Sequence, residues 1–485
     1  MYRLPWFAAG GSIAKSRLEF LSSSEIEAVN GISLRALEEV GVVVNSVPVV
    51  DMLVRAGARK SKDGKRTLIP EPMVKSALSS VPRSLLLASR DGKRDMRIPT
   101  AGPVFVANGG EGVYVEDLLT GQSRSATTED LRDFIFLVQS LQPIDFAWAM
   151  VGALDQPNDK KNAVELMTCL ENTTKHIQGG ATSALEARTN IEMLSAVAGG
   201  VEEFRKRPFF SAIQCPISPM TFEEGLVEAQ VEFARAGIPV VAMVASVAGL
   251  TSPVTLSGTL AQTNAENMAS LVISQAAKKG APWIFSSDSS PGDLKVGSIN
   301  YGALEANLLR AGAGQLGRYH GLPTMCAGCG LEETSMILAD VREGVPYMAM
   351  SGSVNSDLAS GLGGIGNAAG ASFEQLVLDA WVWDTAREFL RTFSADEASI
   401  SFDTIRDAAL DGNFLGKRHT LTRFKKESAA LTKPEAIFSG RPASGNRMDL
   451  LRRAKKEATR MLGAPKTPVT TKEESAALER IVKSL

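Results

Sequence analysis

The chain has few of the residues that most often carry acid–base or metal chemistry. Its 485 residues include three histidines and four cysteines, and aromatic residues make up 6%. Four cysteines in a chain of this length cannot form the disulfide framework of a small secreted domain, so we expect a reducing, cytoplasmic location. The formal net charge is −2, which gives no general electrostatic reason to bind nucleic acid or an anionic membrane.

Long apolar runs are also missing. The N-terminus, MYRLPWFAAGGSIAKSRLEFLSSSE, has an apolar stretch much shorter than the roughly 20 residues that span a bilayer, and it lacks a convincing signal-peptide core. The longer run from Ile238 to Leu250 is interrupted by Pro, Gly and Ser. We therefore expect a soluble protein without a membrane segment.

What the chain does have is glycine, 43 residues in all, and a regular alternation of short apolar runs with helical periods. Eight strand–helix pairs can be counted between residues 103 and 393. The predicted strands are Val104–Asn108, Ile144–Val151, His176–Ala181, Phe209–Cys215, Pro239–Val247, Pro282–Ser287, Pro323–Ala327 and Pro346–Ser351. The predicted helices are Thr128–Ser140, Lys160–Asn172, Ala184–Ala198, Phe222–Ala236, Thr259–Lys279, Tyr301–Tyr319, Thr334–Val341 and Ser372–Phe393.

This alternation is typical of an α/β protein with a parallel sheet covered by helices. Eight units favour a TIM (β/α)8 barrel, although spacing alone leaves an open doubly wound sheet as the rival. Against the rival, GGEGVYVED after the first strand leads into an expected hairpin and not into a helix, so no dinucleotide-binding fingerprint is present.

The barrel, residues 103–393, is predicted to carry an extension at each end. Residues 1–102 form an N-terminal helical and mixed extension, whose first helix is capped by serine and stops at Gly41. Residues 394–485 form a C-terminal extension with a charged helical tail, in which Pro465 and Pro468 split one or two exposed amphipathic helices. Two outcomes stay open for this tail: packing on a neighbouring subunit of a homo-oligomer, or a loose end.

The active site of such a barrel lies in the loops after the strands, which here are rich in Gly and Ser. His176, at the start of a strand, and His320, at the end of a helix, are predicted to be structural, whereas His419 could fold over the rim. Cys326 and Cys329 form a CxxC pair, but no second CxxC or close His pair completes a zinc site. We therefore expect a pair of small rim residues and no bound metal.

Carboxylates near the predicted rim are the main candidates for a binding site. Asp288, Asp293 and Lys295 lie on the loop FSSDSSPGDLKVG, which is either a pocket for a small cationic or polar substrate or a solvated loop of turns and caps. Glu111 follows the first strand. Glu374 begins the last barrel helix, where it could equally serve only as a partner of the helix dipole.

Three long segments, taken in order, resemble the trimethylamine methyltransferase family. They are LTSPVTLSGTLAQTNAENMASLVISQ, SSPGDLKVGSINYGALEANLLRAGAGQLGRYHGLP and GLGGIGNAAGASFEQLVLD. The N-terminal SLRALEEVGVVVNS and RTLIPEPMVKSALSSVPRSLLLASRDG and the C-terminal FLGKRHTLTRF are similar to the same family, so the likeness covers most of residues 20–430. The resemblance implies a TIM barrel that passes a methyl group from an amine to the cobalt of a corrinoid protein.

One departure from the family narrows the expected substrate. Archaeal trimethylamine enzymes of the family carry pyrrolysine, whereas the region MCAGCGLEETS has only ordinary residues. The chain therefore resembles the branch without pyrrolysine, some members of which demethylate quaternary amines such as glycine betaine. A quaternary nitrogen leaves as a neutral amine without a proton, which suits a rim that is poor in histidine. The expected partners are a corrinoid protein and a small quaternary amine.

The resemblance implies a cage for a quaternary cation and a wide mouth for the corrinoid ring. Aromatic residues on the predicted strands could form the cage or belong to the core; they are Phe105, Trp148, Trp283, Phe285 and Tyr347. Asp288 and Asp293 could neutralise the ammonium, and Lys295, His419 or Arg418 could pair with a substrate carboxylate. The glycines expected to admit the corrinoid are Gly328, Gly330, Gly363 and Gly364. The likeness to the family extends most directly to Asp293, Gly297, Glu266 and Glu374, of which Glu266 could be only structural.

Two other functions stay open on the sequence. One is a different barrel enzyme, such as a lyase or aldolase that forms an imine on Lys295. The other is a barrel that has lost activity and serves as a binding protein, which the small number of ionisable rim groups would suit. The sequence does not select among glycine betaine, proline betaine, carnitine and related amines.

Overall fold

A computed structural model of the protein describes residues 18–100, 102, 104–331, 344–354, 356–390, 393, 395–427 and 447–485. Its centre is an eight-stranded parallel sheet. The strands, named here in chain order, are β1 (Phe105–Asn108), β2 (Ala147–Trp148), β3 (Ile177–Gly179), β4 (Phe210–Gln214), β5 (Val240–Val244), β6 (Trp283–Ser287), β7 (Thr324–Cys326) and β8 (Leu358–Leu362).

The sheet closes on itself. Each strand from β2 to β8 pairs in parallel with the next, β8 pairs with β1, and a parallel bridge between Ala107 and Phe146 joins β1 to the residue before β2. The predicted (β/α)8 barrel is therefore confirmed, and the open doubly wound sheet is excluded.

Helices follow the strands around the outside of the barrel. They are Thr128–Ser140, Asn158–Asn172, Ala184–Ala198 with the short Val201–Lys206, Glu224–Ala236, Leu256–Ala277, Leu304–Tyr319, Gly344–Ser353 and Phe373–Phe389. Local capping explains where several of them begin: Ser183 caps one, and Thr127 and Asp130 form a reciprocal capping box at another. The helix predicted at Thr334–Val341 lies outside the described residues.

The predicted eighth strand was wrong. Residues Pro346–Ser351 belong to the helix Gly344–Ser353, and the strand that completes the barrel is Leu358–Leu362. The helical segment GVPYMAMSGS is apolar enough to resemble a buried strand. The true strand, LASGL, has no residue that is aromatic or branched at Cβ, and such residues are the ones with high intrinsic preference for strands.

Alternate residues of the barrel strands point inward and outward. The inward set forms an apolar cluster that includes Ala107, Ile213, Met243, Ile284 and Met325. A hairpin of Leu85–Leu87 and Met96–Ile98 packs against this cluster and closes the end of the barrel at which the strands begin. The opposite end, where the strands finish, stays open and is the place for a site.

The N-terminal extension packs outside the barrel. It comprises Ser23–Arg35, continued by a π-helical turn Ala36–Val40, then Val47–Arg55 and Glu71–Ser80, with short strands at Val43–Val44, Arg59–Lys60 and Thr67–Leu68. The first helix ends at Gly41, as predicted. The strand Val43–Val44 pairs with Thr221–Phe222, which lies after β4.

The C-terminal tail is neither fully exposed nor a loose end. Its helices, Arg447–Leu462 and Lys472–Ser484, are separated by the segment that contains Pro465 and Pro468, as predicted. Ala454, Ala458 and Leu478 are completely buried, because the first helix packs on Phe373–Phe389 and the second on Ala184–Ala198. Between barrel and tail lie the helices Glu397–Ile400, Phe402–Asp411 and Arg418–Glu427.

Two small sheets frame the mouth of the barrel. Tyr114–Glu116 and Ser123–Ser125, after β1, form the expected hairpin and join Gly364–Ile365 and Gly370–Ser372, which follow β8. On the other side, Ser290–Asp293 pairs with both Val247–Ala248 and Ser298–Ile299. The mouth is thus bordered by hydrogen-bonded loops. No helix within the described part of the chain is both long and apolar enough to cross a membrane.

Asp357 ties several elements together where the strands begin. Its carboxylate is fully buried, pairs with Arg318 at 2.5 Å, and accepts the backbone N–H groups of Thr100 and Thr324 at 2.8 and 2.9 Å. One side chain therefore joins β7, β8, the closing hairpin segment and the helix Leu304–Tyr319.

We expect Asp357→Ala to lower the free energy of unfolding by about 3–5 kcal/mol, since it removes a fully buried carboxylate that pairs with Arg318 and accepts two backbone amides. Urea unfolding, followed by circular dichroism, measures the change. The control is Glu39→Ala, which removes an exposed ion pair with Arg35 and should leave the midpoint almost unchanged. Equal midpoints for the two variants would contradict this role of Asp357.

Candidate active site

A cavity of about 430 Å³ opens at the mouth of the barrel, beside the ends of β1 to β4. The side chains that give it its chemistry are Glu111, Trp148, Lys161, Glu165, Glu186 and Cys215. Three of these six are carboxylates and one is an ammonium group. The predicted site residues Glu111 and Trp148 are brought together here.

Glu111 is held in an unusual backbone conformation. Its φ angle is 60°, in the left-handed region that residues other than glycine seldom adopt, and its amide donates to the carbonyl of Ala149 at 2.7 Å. Strain of this kind is common at functional sites. The side chain opens to the cavity but is enclosed by protein elsewhere, and this burial raises the pKa of its carboxyl group.

Trp148 provides an aromatic surface next to Glu111. Its indole packs against Gly110, where a Cβ would lie 2.3 Å from the ring, so no larger residue fits at that position. The indole N–H is buried and has no hydrogen-bond partner that meets ordinary geometry among the described residues. Its closeness to the Glu111 carboxyl partly offsets the rise in the pKa of that group.

Glu165 and Lys161 lie one helical turn apart on Asn158–Asn172, the helix that follows β2. Lys161 Nζ is 3.8 Å from Glu165 Oε1, which also accepts the amide of Ala153 at 2.9 Å. Burial nevertheless raises the pKa of Glu165 to about 7, and the charges of Glu111 and Glu186 add to the effect. Near neutral pH both the protonated and the ionised forms of this carboxyl group are therefore populated.

Glu186 is the third carboxylate that lines the cavity, after Glu111 and Glu165. Its carboxylate accepts the amide of Thr182 at 2.6 Å and the Thr182 hydroxyl at 2.9 Å, just after β3. With one ammonium group opposite three carboxylates, the fully ionised cavity carries an excess negative charge. A cation of small volume could gain from both this charge and the face of Trp148.

The loop after β4 is fixed by Glu266, which the sequence indicated but did not explain. This buried carboxylate accepts the Ser218 hydroxyl at 2.7 Å and the Met220 amide at 2.8 Å. The loop also carries Cys215, which lines the cavity. Cys215 is exposed to the cavity, but the surrounding protein keeps its thiol from bulk water. This desolvation and the nearby charges of Glu111 and Asp288 raise the pKa of Cys215 to about 12, so it is a thiol and not a nucleophilic thiolate.

A second polar cluster lies at the ends of β6 and β7. Asp288 Oδ2 accepts the Tyr301 hydroxyl at 2.6 Å, and burial raises the pKa of Asp288 to about 6. Arg310 Nη1 is 3.3 Å from the Tyr347 hydroxyl, which lies 3.5 Å from the carbonyl of Gly328. Three predicted site residues, Asp288, Tyr347 and Gly328, thus meet around an arginine, although Tyr347 is on a helix and not on a strand as expected.

Other predicted site residues lie away from the cavity. Trp283 and Phe285 point outward from β6, where the Trp283 indole approaches Ser270 and Phe285 packs beside Gly317. Asp293 and Lys295 belong to the tip of a hairpin, in which Asp293 Oδ1 accepts the Lys295 amide at 2.9 Å and Lys295 is exposed. These two aromatics belong to the core, and the loop is one of turns and caps.

Two further candidates, Glu374 and His419, also lie away from the cavity. Glu374 forms an ion pair with Lys455 of the tail, at 3.3 Å, outside the barrel. His419 lies on the helix Arg418–Glu427 and does not line the cavity. The expectation that it folds over the rim has no contact to support it among the described residues.

The glycines after β7 and β8 are required by the packing of their own loops. A Cβ at Gly330 would lie 2.1 Å from the carbonyl oxygen of Gly361, and one at Gly363 would lie 2.7 Å from Leu376 Cβ. Asp379, which the sequence did not single out, accepts the Gly363 amide at 2.8 Å. Gly364 follows on the short strand Gly364–Ile365. The role of these glycines in admitting a corrinoid stays a prediction.

The remaining histidines and cysteines are buried, which agrees with the predicted structural role of His176 and His320. His176 and His320 are buried, and burial lowers the pKa of each to about 4. Cys326 and Cys329 are buried free thiols, and burial raises their pKa values to about 12 and about 11. In the described parts of the chain, no group of three or more His, Cys, Asp or Glu side chains is placed to hold a metal ion.

Four important residues were missed by inspecting only the loops after the strands. Lys161, Glu165, Glu186 and Arg310 all lie on the helices that follow strands, within about two turns of their starts. The spacing of Lys161 and Glu165, four residues apart near the start of a helix, is the one signal that was visible in the sequence.

Sequence comparison places this chain among amine methyltransferases by likeness. The sequence profile described as trimethylamine methyltransferase (MTTB) matches residues 12–484. The chain is 27% identical over 461 residues to the trimethylamine methyltransferase MttB of Desulfitobacterium hafniense, covering 95% of this chain and 92% of that protein. It is 25% identical over 419 residues to a glycine betaine methyltransferase of another strain of the same species, covering 85% of each.

Solved structures share the fold. The monomethylamine methyltransferase MtmB of Methanosarcina barkeri aligns with a TM-score of 0.53 and 10% identity, over 92% of this chain and 89% of that one. The hydroxylamine complex of MtmB gives the same TM-score with 11% identity. At such low identity the likeness establishes the architecture alone.

The raised pKa of Glu165 predicts a pH-dependent cost to folding. Because the pKa rises from 4.5 to about 7 on folding, the folded state pays increasingly for ionising this group as the pH rises between these values. Glu165→Gln should therefore gain stability relative to the wild type from about pH 5 to about pH 8. Urea unfolding at both pH values measures the difference. Glu192→Gln, on an exposed position of the next helix, is the control, and a gap between Glu165→Gln and the wild type that ignores pH would contradict the prediction.

Proposed function

The chain belongs to the trimethylamine methyltransferase family, and from this premise we propose that it moves a methyl group from a quaternary amine to the reduced cobalt of a corrinoid. The amine would be glycine betaine or a related betaine. The corrinoid would arrive as a second substrate, carried by a partner protein. Family membership supports amine methyl transfer. The identity of the amine and of the methyl acceptor is what we propose in addition.

The observation that carries the proposal is the acidic cavity at the mouth of the barrel. A quaternary ammonium group has a permanent positive charge and cannot donate a hydrogen bond. It is therefore recognised by negative charge and by aromatic faces rather than by directed hydrogen bonds. Glu111, Glu165 and Glu186 supply the charge, and Trp148 supplies the face, within one cavity of about 430 Å³.

The reaction needs little from the protein beyond binding and alignment. The reduced corrinoid, as second substrate, would supply the two electrons of the new bond to the methyl carbon and be oxidised, while the C–N bond breaks and leaves its two electrons on nitrogen. The product amine therefore leaves without a positive charge and needs no proton from the protein. Holding the methyl group in line with the cobalt supplies much of the rate enhancement, since orientation alone can be worth several kcal/mol.

A lyase or aldolase that uses Lys295 is a weaker candidate. Imine formation needs a lysine in a protected pocket, where burial lowers its pKa. Lys295 is instead exposed at a hairpin tip, and the lysine that lines the cavity, Lys161, is close to Glu165. A reaction that depends on Lys295 therefore has no enclosed site.

The decisive test is methyl transfer to cobalt, followed by the change in the cobalt absorption spectrum. Purified protein is mixed with reduced corrinoid and with glycine betaine, proline betaine, carnitine, tetramethylammonium or trimethylamine, with and without a cognate corrinoid protein. Formation of methylated corrinoid from a quaternary amine supports the proposal. Transfer from trimethylamine alone overturns the quaternary substrate, and no transfer from any of them overturns the function.

Glu111→Gln should weaken binding of a quaternary cation on the order of tenfold, the equivalent of about 1.4 kcal/mol, because it removes one negative charge with little change in shape. Isothermal titration calorimetry with the amine that proves active measures the dissociation constant. Glu374→Gln is the matched control, since Glu374 pairs with Lys455 away from the cavity. Equal affinity of both variants would show that the cation does not sit beside Glu111.

A further inference from the structure

Arg310 is the most conspicuous buried charge that the acidic cavity does not use. It projects from Leu304–Tyr319, and its side chain is completely buried. Its Nη1 group donates to Asn307 Oδ1 at 3.1 Å and to the Tyr347 hydroxyl at 3.3 Å. Its Nε and Nη2 groups have no hydrogen-bond partner among the described residues. The Nε and Nη2 edge of the guanidinium, which in many proteins donates two hydrogen bonds to a carboxylate, thus has no acceptor among the described residues.

Other unpaired polar groups accompany it. Asp288 Oδ1 and the amide nitrogen of Asn307 also lack partners in the described parts of the chain, as do the hydroxyls of Ser286 and Ser290. All five residues lie on or just after β6, or near the start of the helix that follows it. Folded proteins satisfy nearly all of their buried polar groups, so a concentration of exceptions in one place calls for a missing ligand.

The signs of these groups specify what the ligand must offer. Arg310 Nε and Nη2, with Asn307 Nδ2, present donors and a positive charge, which fit the two oxygens of a carboxylate. Asp288 Oδ1 presents an acceptor with negative charge close enough to Arg310 for each to affect the ionisation of the other. A ligand with an anionic and a cationic end matches both.

We propose that Arg310, with Asn307, forms a subsite that binds the carboxylate of a zwitterionic amine, and that Asp288 faces the cationic end. This assignment rests on the function proposed above and narrows its substrates to betaines that carry a carboxylate. Choline and tetramethylammonium, which have none, cannot use the subsite. Arg310 thus takes the role that the sequence offered to Lys295, Arg418 or His419.

The position of Asp288 in the fold agrees with a single substrate region that includes both Arg310 and the acidic cavity. Asp288 follows β6 and points into the mouth of the barrel, and its charge, like that of Glu111, raises the pKa of Cys215 in the cavity. Gly328 covers the guanidinium, since a Cβ there would lie 2.3 Å from Nη2. No residue larger than glycine therefore fits beside the guanidinium at this position.

The test compares trimethylammonium ligands that carry a carboxylate with others that do not. Calorimetric dissociation constants are measured for glycine betaine, carnitine, choline and tetramethylammonium with the wild type, Arg310→Met and Arg310→Lys. Arg310→Met should weaken carboxylate-bearing ligands roughly 10- to 100-fold, as expected for a lost charged hydrogen bond, and leave the other two ligands within about twofold of the wild type. Arg310→Lys keeps the positive charge but loses the planar guanidinium that binds a carboxylate through two N–H groups. Its affinity for the carboxylate-bearing ligands should therefore lie between those of the wild type and of Arg310→Met.

Each alternative outcome is informative. Equal loss for all four ligands in Arg310→Met means that Arg310 only supports the fold, and equal retention means that no carboxylate binds there; both overturn the subsite. Wild-type protein that binds tetramethylammonium but neither betaine overturns the subsite and the betaine substrate, and leaves methyl transfer from a quaternary amine as the function. Protein that binds none of the four overturns the proposed function. Asn307→Ala, which removes a donor beside Arg310 without removing a charge, repeats the comparison if Arg310→Met does not fold.

Discussion

Charge held out of water at the open end of the barrel is the constraint on which the site depends. Closing eight strands into a ring brings the ends of all of them to one small area, which hydrogen-bonded loops border. Burial raises the pKa of Glu111, Glu165 and Asp288 there, and Arg310 stays buried with part of its donor capacity unused. Each of these groups is costly to bury alone, and a charged ligand of suitable shape reduces the cost.

The surrounding structure is arranged so that these groups cannot relax away from one another. Glu266 fixes the loop after β4 through Ser218 and Met220, and Asp379 fixes the loop after β8 through Gly363. At the other end of the barrel, Asp357 joins strands and helix through Arg318 and two amides. These buried carboxylates act on backbone donors, so that the loops at the mouth keep a defined shape even though many of their residues are small.

Much of the fold could be predicted from the sequence because strand–helix alternation is a local signal that repeats. Seven strands and most of their helices were predicted in place, although the second strand, predicted over Ile144–Val151, is observed only at Ala147–Trp148. The eighth was missed because packing, and not propensity, makes a strand of LASGL. The site was harder to predict. Trp283 and Trp148 have similar surroundings in the sequence, but the alternation of inward and outward positions, which depends on exact register, puts the first in the core and the second in the cavity.

Binding of a zwitterion differs physically from binding of a simple cation. The acidic cavity alone would favour any small ammonium ion, and its selectivity among them would come from size, which distinguishes such ligands only weakly. An unpaired arginine changes this, because a ligand without a carboxylate leaves the guanidinium edge unsatisfied, whereas a betaine satisfies it. The difference in affinity then arises mainly because a ligand without a carboxylate leaves the buried guanidinium without its hydrogen-bond partner. A site poor in histidine can thus be selective without a dedicated acid or base, provided that its buried charges of both signs stay in place.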